Sequence, residues 1–364
     1  MTELLERPSA RPEARVAGRP PIRVGRVSGV WRPRMMLVTV VGAAAMVLVA
    51  AVNIARGDFP LTILEVLATL VGAGDAASEF IVLELRLPRT LTGLLVGAAL
   101  ALSGAITQAI ARNPLASPDI LGVTAGASTV AVAVIVLGGA GTGTLMAQVG
   151  LPMAALVGGL ATAAIVYGLA YKQGIEGYRL VLVGVGVGAV ASSLTSWMLV
   201  RAEIWEAAEA TVWLTGSLNA RGWEHVVPVA LALAVLVPAA LLLAFGLGVL
   251  QLGDDTARGL GLRINLVRGA LILVAVGLAA VATASAGPIA FVALVVPQIC
   301  QRLVGSARPP LLASAVYGAL LVTTADLIAR TVLPVELPVG IVTAVLGAPY
   351  LLYLLARRNR EVTA

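Results

Sequence analysis

One cysteine, Cys300, one histidine, His225, and one lysine, Lys172, leave this sequence few groups for covalent chemistry. They build no disulfide framework and no Cys/His metal cluster. No Ser/His pair, paired carboxylates or metal-ligand set lies within the apolar stretches either, which argues against an intramembrane enzyme. Cys300 stands in an apolar run and reads as a small core residue. His225 follows Trp223 and Glu224 and reads as an interfacial surface residue. Lys172 is flanked by Tyr171 and Gln173, so the phosphate-binding loop Gly-x4-Gly-Lys-[Ser/Thr] is absent. The expectation is a chain that is not an enzyme and holds no metal or cofactor. If it pumps anything, the energy enters through a partner.

What remains is charge and turn chemistry at fixed positions. In Arg86-Leu87-Pro88-Arg89 a proline at a helix start carries two guanidiniums, suited to carboxylates of a docking protein outside the membrane. Asp326 and Arg330 lie four apart on one helical face and are expected to pair. The segment Asp254-Asp255-Thr256-Ala257-Arg258-Gly259-Leu260-Gly261 reads as a short helix, capped by Asp254 or Asp255 and ended by glycine. Such a helix is either a solvated connection or the grip of a cytoplasmic motor. Asn113 to Gly122, with Pro114 and Pro118, reads as a tight turn feeding a helix. Pro288 and Pro297, in and beside one apolar run, predict a broken or kinked helix.

The elements that position these residues are membrane spans. The chain has 364 residues, 59% hydrophobic and 12% charged, with a mean hydropathy of +0.97. So little polar surface cannot cover a water-exposed globule, and lipid is the solvent. About ten spans are expected: 35–55, 89–110, 120–139, 150–170, 179–200, 226–248, 267–285, 288–305, 311–331 and 340–356. With the N-terminus inside, 19 of the 25 Lys and Arg fall in inner segments, which supports this count and orientation, both termini cytoplasmic. The same placement explains the high pI without nucleic acid. Residues 1–34, rich in Arg and Pro, are expected to be a disordered cytoplasmic tail, 35–357 the transmembrane domain, and 358–364 a second cytoplasmic tail. Leu61, Leu64, Leu67 and Leu70 predict a short helix on the outer membrane surface, and Trp205, Trp213 and Trp223 interfacial anchors. Gly93, Gly97, Ala101, Ala105 and Ala109 bare one face of the second span for close helix packing. Gly184, Gly188, Ser192 and Ser196 repeat the device in the fifth span, where a stripe ending in hydroxyls is as well suited to lining a pathway.

Together these segments, in order over about 35–357, resemble the FecCD-type permeases of bacterial importers for ferric siderophores, haem and cobalamin. The resemblance implies an all-α, polytopic subunit of about ten helices in the bacterial plasma membrane, of the type II ATP-binding-cassette importer kind. It implies a permease dimer, of one chain or two, with two cytoplasmic ATP-binding subunits and an extracytoplasmic solute-binding protein. It assigns Arg86, Arg89 and Arg330 to glutamates of the binding protein and Asp254 to Gly261 to the coupling helix held by the ATPase. Gln298 stands where many members carry His, which tilts the substrate slightly toward a ferric siderophore over cobalamin or haem. An ion-coupled secondary transporter is the rival from another class; the scarcity of ionisable groups at membrane depth argues against it.

Overall fold

Length and apolarity set the architecture. A computed structural model of the chain describes residues 21–24, 27–30, 32–57, 59–138, 144–172, 177–332 and 334–363. Ten of its helices coincide with the ten expected spans. They are α1 (Pro33–Ala55), α4 (Leu87–Ala111), α5 (Val123–Gly138), α6 (Thr144–Ala170), α7 (Gly177–Arg201), α9 (Trp223–Leu250), α11 (Ile264–Ala286), α12 (Val292–Val304), α13 (Leu311–Thr331) and α14 (Val339–Thr363). Seven are long and apolar enough to cross a bilayer by themselves; α5, α12 and α14 supply shorter apolar stretches. Between them lie α2 (Ile63–Leu70), α3 (Ala76–Glu79), α8 (Ile204–Leu214) and α10 (Asp254–Gly259).

Helix α4 is the axis of the bundle and packs on α13, α11, α9 and α12. Its small-residue stripe works as expected. Gly97 backs directly onto Gly318 of α13, and two helix turns on, Gly104 meets the Ala293 carbonyl of α12. Ser103 Oγ donates to the Ala275 carbonyl of α11 at 2.6 Å, tying a third helix to the axis. An added Cβ at Gly104 overlaps the Ala293 oxygen, so Gly104→Val is expected to force α12 outward and cost about 1–3 kcal/mol. The thermal unfolding midpoint in detergent reads this; a midpoint equal to wild type refutes the close approach.

The break expected at the prolines falls at the first of them. Helix α11 ends at Ala286, Gly287 takes φ +73°, and Phe291 (φ +66°) starts α12, so Pro288 lies in a non-helical link. Pro297 lies inside α12. Lacking an N–H, it releases the carbonyl of Ala293, four residues back. Gln108 of α4 donates to that oxygen at 3.4 Å and to Leu294 O at 2.9 Å, and its own Oε1 accepts from Gln298 at 2.6 Å.

Three expectations need correction. The tail 1–34 is not wholly without structure: β1 (Pro21–Val24) and β2 (Val27–Val30) pair antiparallel, Val24 opposite Val27, in a stretch whose Ile22, Val24, Val27 and Val30 favour strands. Residues 1–20 lie outside the described residues. Helix α14 runs on to Thr363, so the expected tail 358–364 is helical through Thr363. His225 is buried in the first turn of α9, hydrogen-bonded to Arg221 and Glu224. Trp213 is buried too, whereas Trp205 is exposed as an anchor should be.

Candidate functional site

The end of the bundle where α1 ends and α4 begins gathers the expected arginines from three elements. Helix α3 does not stop before α4. A π-helical turn, Phe80–Arg86, carries the chain into α4 without interruption, the N–H of Leu87 reaching back five residues to Val82 O. Arg86 and Arg89 therefore sit within one continuous helix, not in front of it. The extra residue per turn swings Arg86 toward α1, where it is only 8% exposed. Its Nη1 donates to Ile54 O (2.9 Å) and Ala55 O (3.1 Å), and Nη2 donates to Phe59 O (2.5 Å). These are the last carbonyls of α1 and the link beyond it, which have no helical partners of their own. The expectation that Arg86 offers its charge outward is corrected: it caps α1.

Arg89 and Arg330 share one carboxylate. Asp326, 1% exposed, accepts at one oxygen, Oδ1, from both Arg89 Nε (3.1 Å) and Nη2 (2.8 Å), while its Oδ2 lies 3.4 Å from Arg330 Nε. The expected Asp326–Arg330 pair thus exists, but Arg89 holds the stronger claim. Asn53 completes the ring: its Nδ2 donates to Asp326 Oδ2 (3.2 Å), and its Oδ1 accepts from Thr90 (3.2 Å) and from Arg330. Above them Glu336, in the link between α13 and α14, reaches Arg89 Nη2 at 2.6 Å while remaining 38% exposed. Burial of this kind is tolerable only with every charge paired. The ring locks α1, α4 and α13 together beneath one accessible carboxylate.

The opposite end of α4 carries a second cluster. Arg112, the C-cap of α4, takes the left-handed conformation (φ 50°) and donates to Leu250 O and to Asp254 Oδ1, each at 2.6 Å. Arg268 of α11 donates to both oxygens of Asp254 at 2.9 and 3.0 Å. Partial burial raises the cost of ionising Asp254, yet hydrogen bonds and charge from Arg268 and Arg112 outweigh it and hold the carboxyl below its usual range. The short helix expected over 254–261 is present as α10, closed by Gly261 at φ +79°. Its cap differs: Gly253 (φ +106°) stands at the N-cap, and no side chain caps the helix. Asp254 is spent on the two arginines instead, and Asp255 pairs with Arg258 at 2.9 Å on the exposed side. Leu252 and Leu260 flank the loop as exposed apolar side chains.

Residues 33–357 match the FecCD transport family. The chain belongs to that family. It is 40% identical to the ferric enterobactin transport system permease protein of Escherichia coli (strain K12), over 91% of this chain and 99% of that one. It is 43% identical to the achromobactin transport system permease protein of Dickeya dadantii (strain 3937), over 91% and 97%. Among solved structures it resembles a metal-chelate type ABC transporter in an inward-facing conformation, with a TM-score of 0.76, 28% identity, and coverage of 88% of this chain and 99% of that one.

As a FecCD-family permease, the chain is a multi-pass membrane transport subunit whose two charged clusters sit at opposite ends of a single helix, α4. The stripe on α7 divides. Gly184 is buried against Ile120 O, but Gly188 has open space beside it, and Ser192 and Ser196 are exposed on the same side. The packed face of α7 lies directly beside this stripe, where Thr195 and Thr129 of α5 share a hydrogen bond of 3.0 Å. Sequence reasoning passed over Asn53, Gln108, Arg112, Arg268 and Glu336. Asn53 and Gln108 carried a usable signal, since each is a lone amide inside an apolar span. Arg112 and Arg268 looked like ordinary topology signals at span ends.

Proposed function

We propose that this permease imports a ferric siderophore across the bacterial plasma membrane, both termini cytoplasmic, as one of two membrane subunits. The second is another copy or a related chain. Two cytoplasmic ATP-binding subunits supply the work, and an extracytoplasmic solute-binding protein delivers the chelate. What carries the substrate class is the likeness, at about 40% identity over nine-tenths of the chain, to permeases named for enterobactin and achromobactin transport. Iron travels inside its organic chelate, so the chain needs no metal ligands of its own.

In this reading Arg89 and Arg330 receive carboxylates of the binding protein, and Arg86 supports them by fixing the end of α1. Glu336 occupies Arg89 in the absence of that protein. The loop from Asp254 through Gly261 seats in the ATPase, with the exposed Asp255, Arg258 and Leu260 as contacts. The open face of α7 at Gly188, Ser192 and Ser196 lines the pathway against the other membrane subunit. Closing the motor subunits moves α10, and alternating access follows from tilting the helices tied to it.

Vesicles containing the chain with its ATP-binding subunits and binding protein should accumulate iron presented as a ferric siderophore, only with ATP at the motor side and regardless of a protonophore. Uptake by the chain alone, or uptake that tracks a proton gradient without ATP, overturns the proposal.

A further inference from the structure

The bundle holds another group of guanidiniums that neither docking nor coupling uses. At the end that carries α10, a cavity of about 660 Å³ opens between the start of α1, the end of α9 and the turn after α12. Arg32, Arg34 and Arg308 line it, with Gly248, Gln251 and Ser306, and among the described residues no carboxylate lines it. Backbone carbonyls hold two of the three arginines in place. Arg34 Nε donates to Leu303 O at 2.8 Å, and Arg308 Nη1 to Ala244 O at 3.3 Å. Among the described residues, Arg34 Nη1 and Arg308 Nη2 have no hydrogen-bond partner, and none of the three arginines has an ion-pair partner. Two glycines keep the space clear: a side chain at Gly248 collides with Arg308 Nη1, and one at Gly305 presses on Arg34 Nη1. Burial and the neighbouring charge of Arg32 push Arg308 below its ordinary basicity. Among the described residues this cluster of like charges has no counter-ion.

The surroundings say where the counter-ion comes from. Leu37, Val40 and Val41 of α1, and Leu241, Leu242 and Phe245 of α9, are all exposed within about two turns of the cavity residues on their own helices. In a bilayer these faces meet acyl chains, which puts the three guanidiniums at headgroup depth. A phosphodiester fits paired guanidinium forks, and its attached chains fit the apolar faces beside it.

We propose that this cavity binds the phosphate headgroup of an anionic phospholipid, whose acyl chains lie over the exposed faces of α1 and α9. The lipid then acts as a wedge joining the ends of α1, α9 and α12. The inference stands independently of the transported substrate.

The full-length chain, extracted from vesicles of equal phosphatidylglycerol and phosphatidylcholine, should retain the anionic lipid preferentially when its bound lipids are counted by native mass spectrometry. Arg32→Gln removes a side chain with no internal hydrogen bond, so the fold is unaffected and the preference should fall about fivefold. Arg308→Gln should lower it at least as far, and Arg308→Lys should keep most of it. If Arg308→Gln fails to fold, Arg32→Gln decides. Excess inorganic phosphate should leave the lipid bound. A wild-type chain without preference, or an Arg32→Gln chain with unchanged preference, overturns the proposal. Displacement by inorganic phosphate makes this a soluble-anion site, and displacement by the assembled ATP-binding subunits makes it a protein contact; either outcome also refutes the lipid.

Discussion

Asp326→Asn is expected to destabilise the permease by about 3–5 kcal/mol and to abolish uptake, although the side chain is nearly isosteric. Asp326 is the buried member of a four-charge group, Arg89, Arg330, Asp326 and Glu336, whose formal charges cancel. Neutralising it leaves two arginines, each about one-eighth exposed, facing a single carboxylate at the surface. The amide oxygen can keep both Arg89 bonds at the Oδ1 position, but the NH2 then replaces Oδ2 and opposes two donors, Asn53 Nδ2 and Arg330 Nε. Glu336→Gln removes the same formal charge and makes the control. That carboxylate is 38% exposed, and solvent screens its pair with Arg89, so stability should change by no more than about 1 kcal/mol. Under the docking proposal Glu336→Gln should also tighten binding-protein association, because the partner's carboxylate no longer competes for Arg89. Thermal unfolding in detergent separates the two variants. Equal midpoints for Asp326→Asn and wild type would contradict the buried ring. A second check is the double variant Asp326→Asn with Arg330→Gln, which restores charge balance and should recover part of the lost stability.

How much of this was readable beforehand follows from which forces leave a trace in sequence. Span placement did, because the length of hydrocarbon to be crossed fixes both the number and the apolarity of residues in each helix. The close approach of α4 to α13 did as well, since a stripe of Gly and Ala has few other uses in a helix this apolar. The π-helical turn at Phe80–Arg86 did not. Pro88 marks a helix start in most settings, and nothing local distinguishes a proline that follows a π turn from one that opens a helix. Arg86 was misread for that reason: its acceptors are the carbonyls of Ile54, Ala55 and Phe59, and backbone acceptors have no sequence signature. Asp254 was misread differently. An acidic residue at a helix start usually caps it, and only the fold brings Arg112 and Arg268 to the same carboxylate from 142 and 14 residues away.

That cluster around Asp254 supports the other large effect. Arg112→Gly should lower siderophore uptake on the order of tenfold while ATP hydrolysis by the assembled transporter continues. The substitution is chosen for its backbone. Arg112 is a left-handed C-cap, which glycine adopts without strain, so the end of α4 is kept and only the guanidinium is lost. Stability should move by no more than about 1 kcal/mol, because Asp254 is partly solvated and retains Arg268. A large loss of coupling beside a small change in stability is what a positioning contact predicts; a merely structural one would lose both together. Asp254→Asn should reproduce the effect and Asp254→Glu should recover part of it. The pH dependence has a definite sign. Because the folded state holds Asp254 below its ordinary value of 3.8, the tie is intact above that pH and is lost only as pH falls through the lower folded value. Coupling measured between about pH 5 and 8 should therefore be flat with respect to this group. Were uptake per ATP unchanged in Arg112→Gly, or were it to titrate near neutrality through Asp254, the link from the axial helix α4 to α10 would not carry the motor's movement.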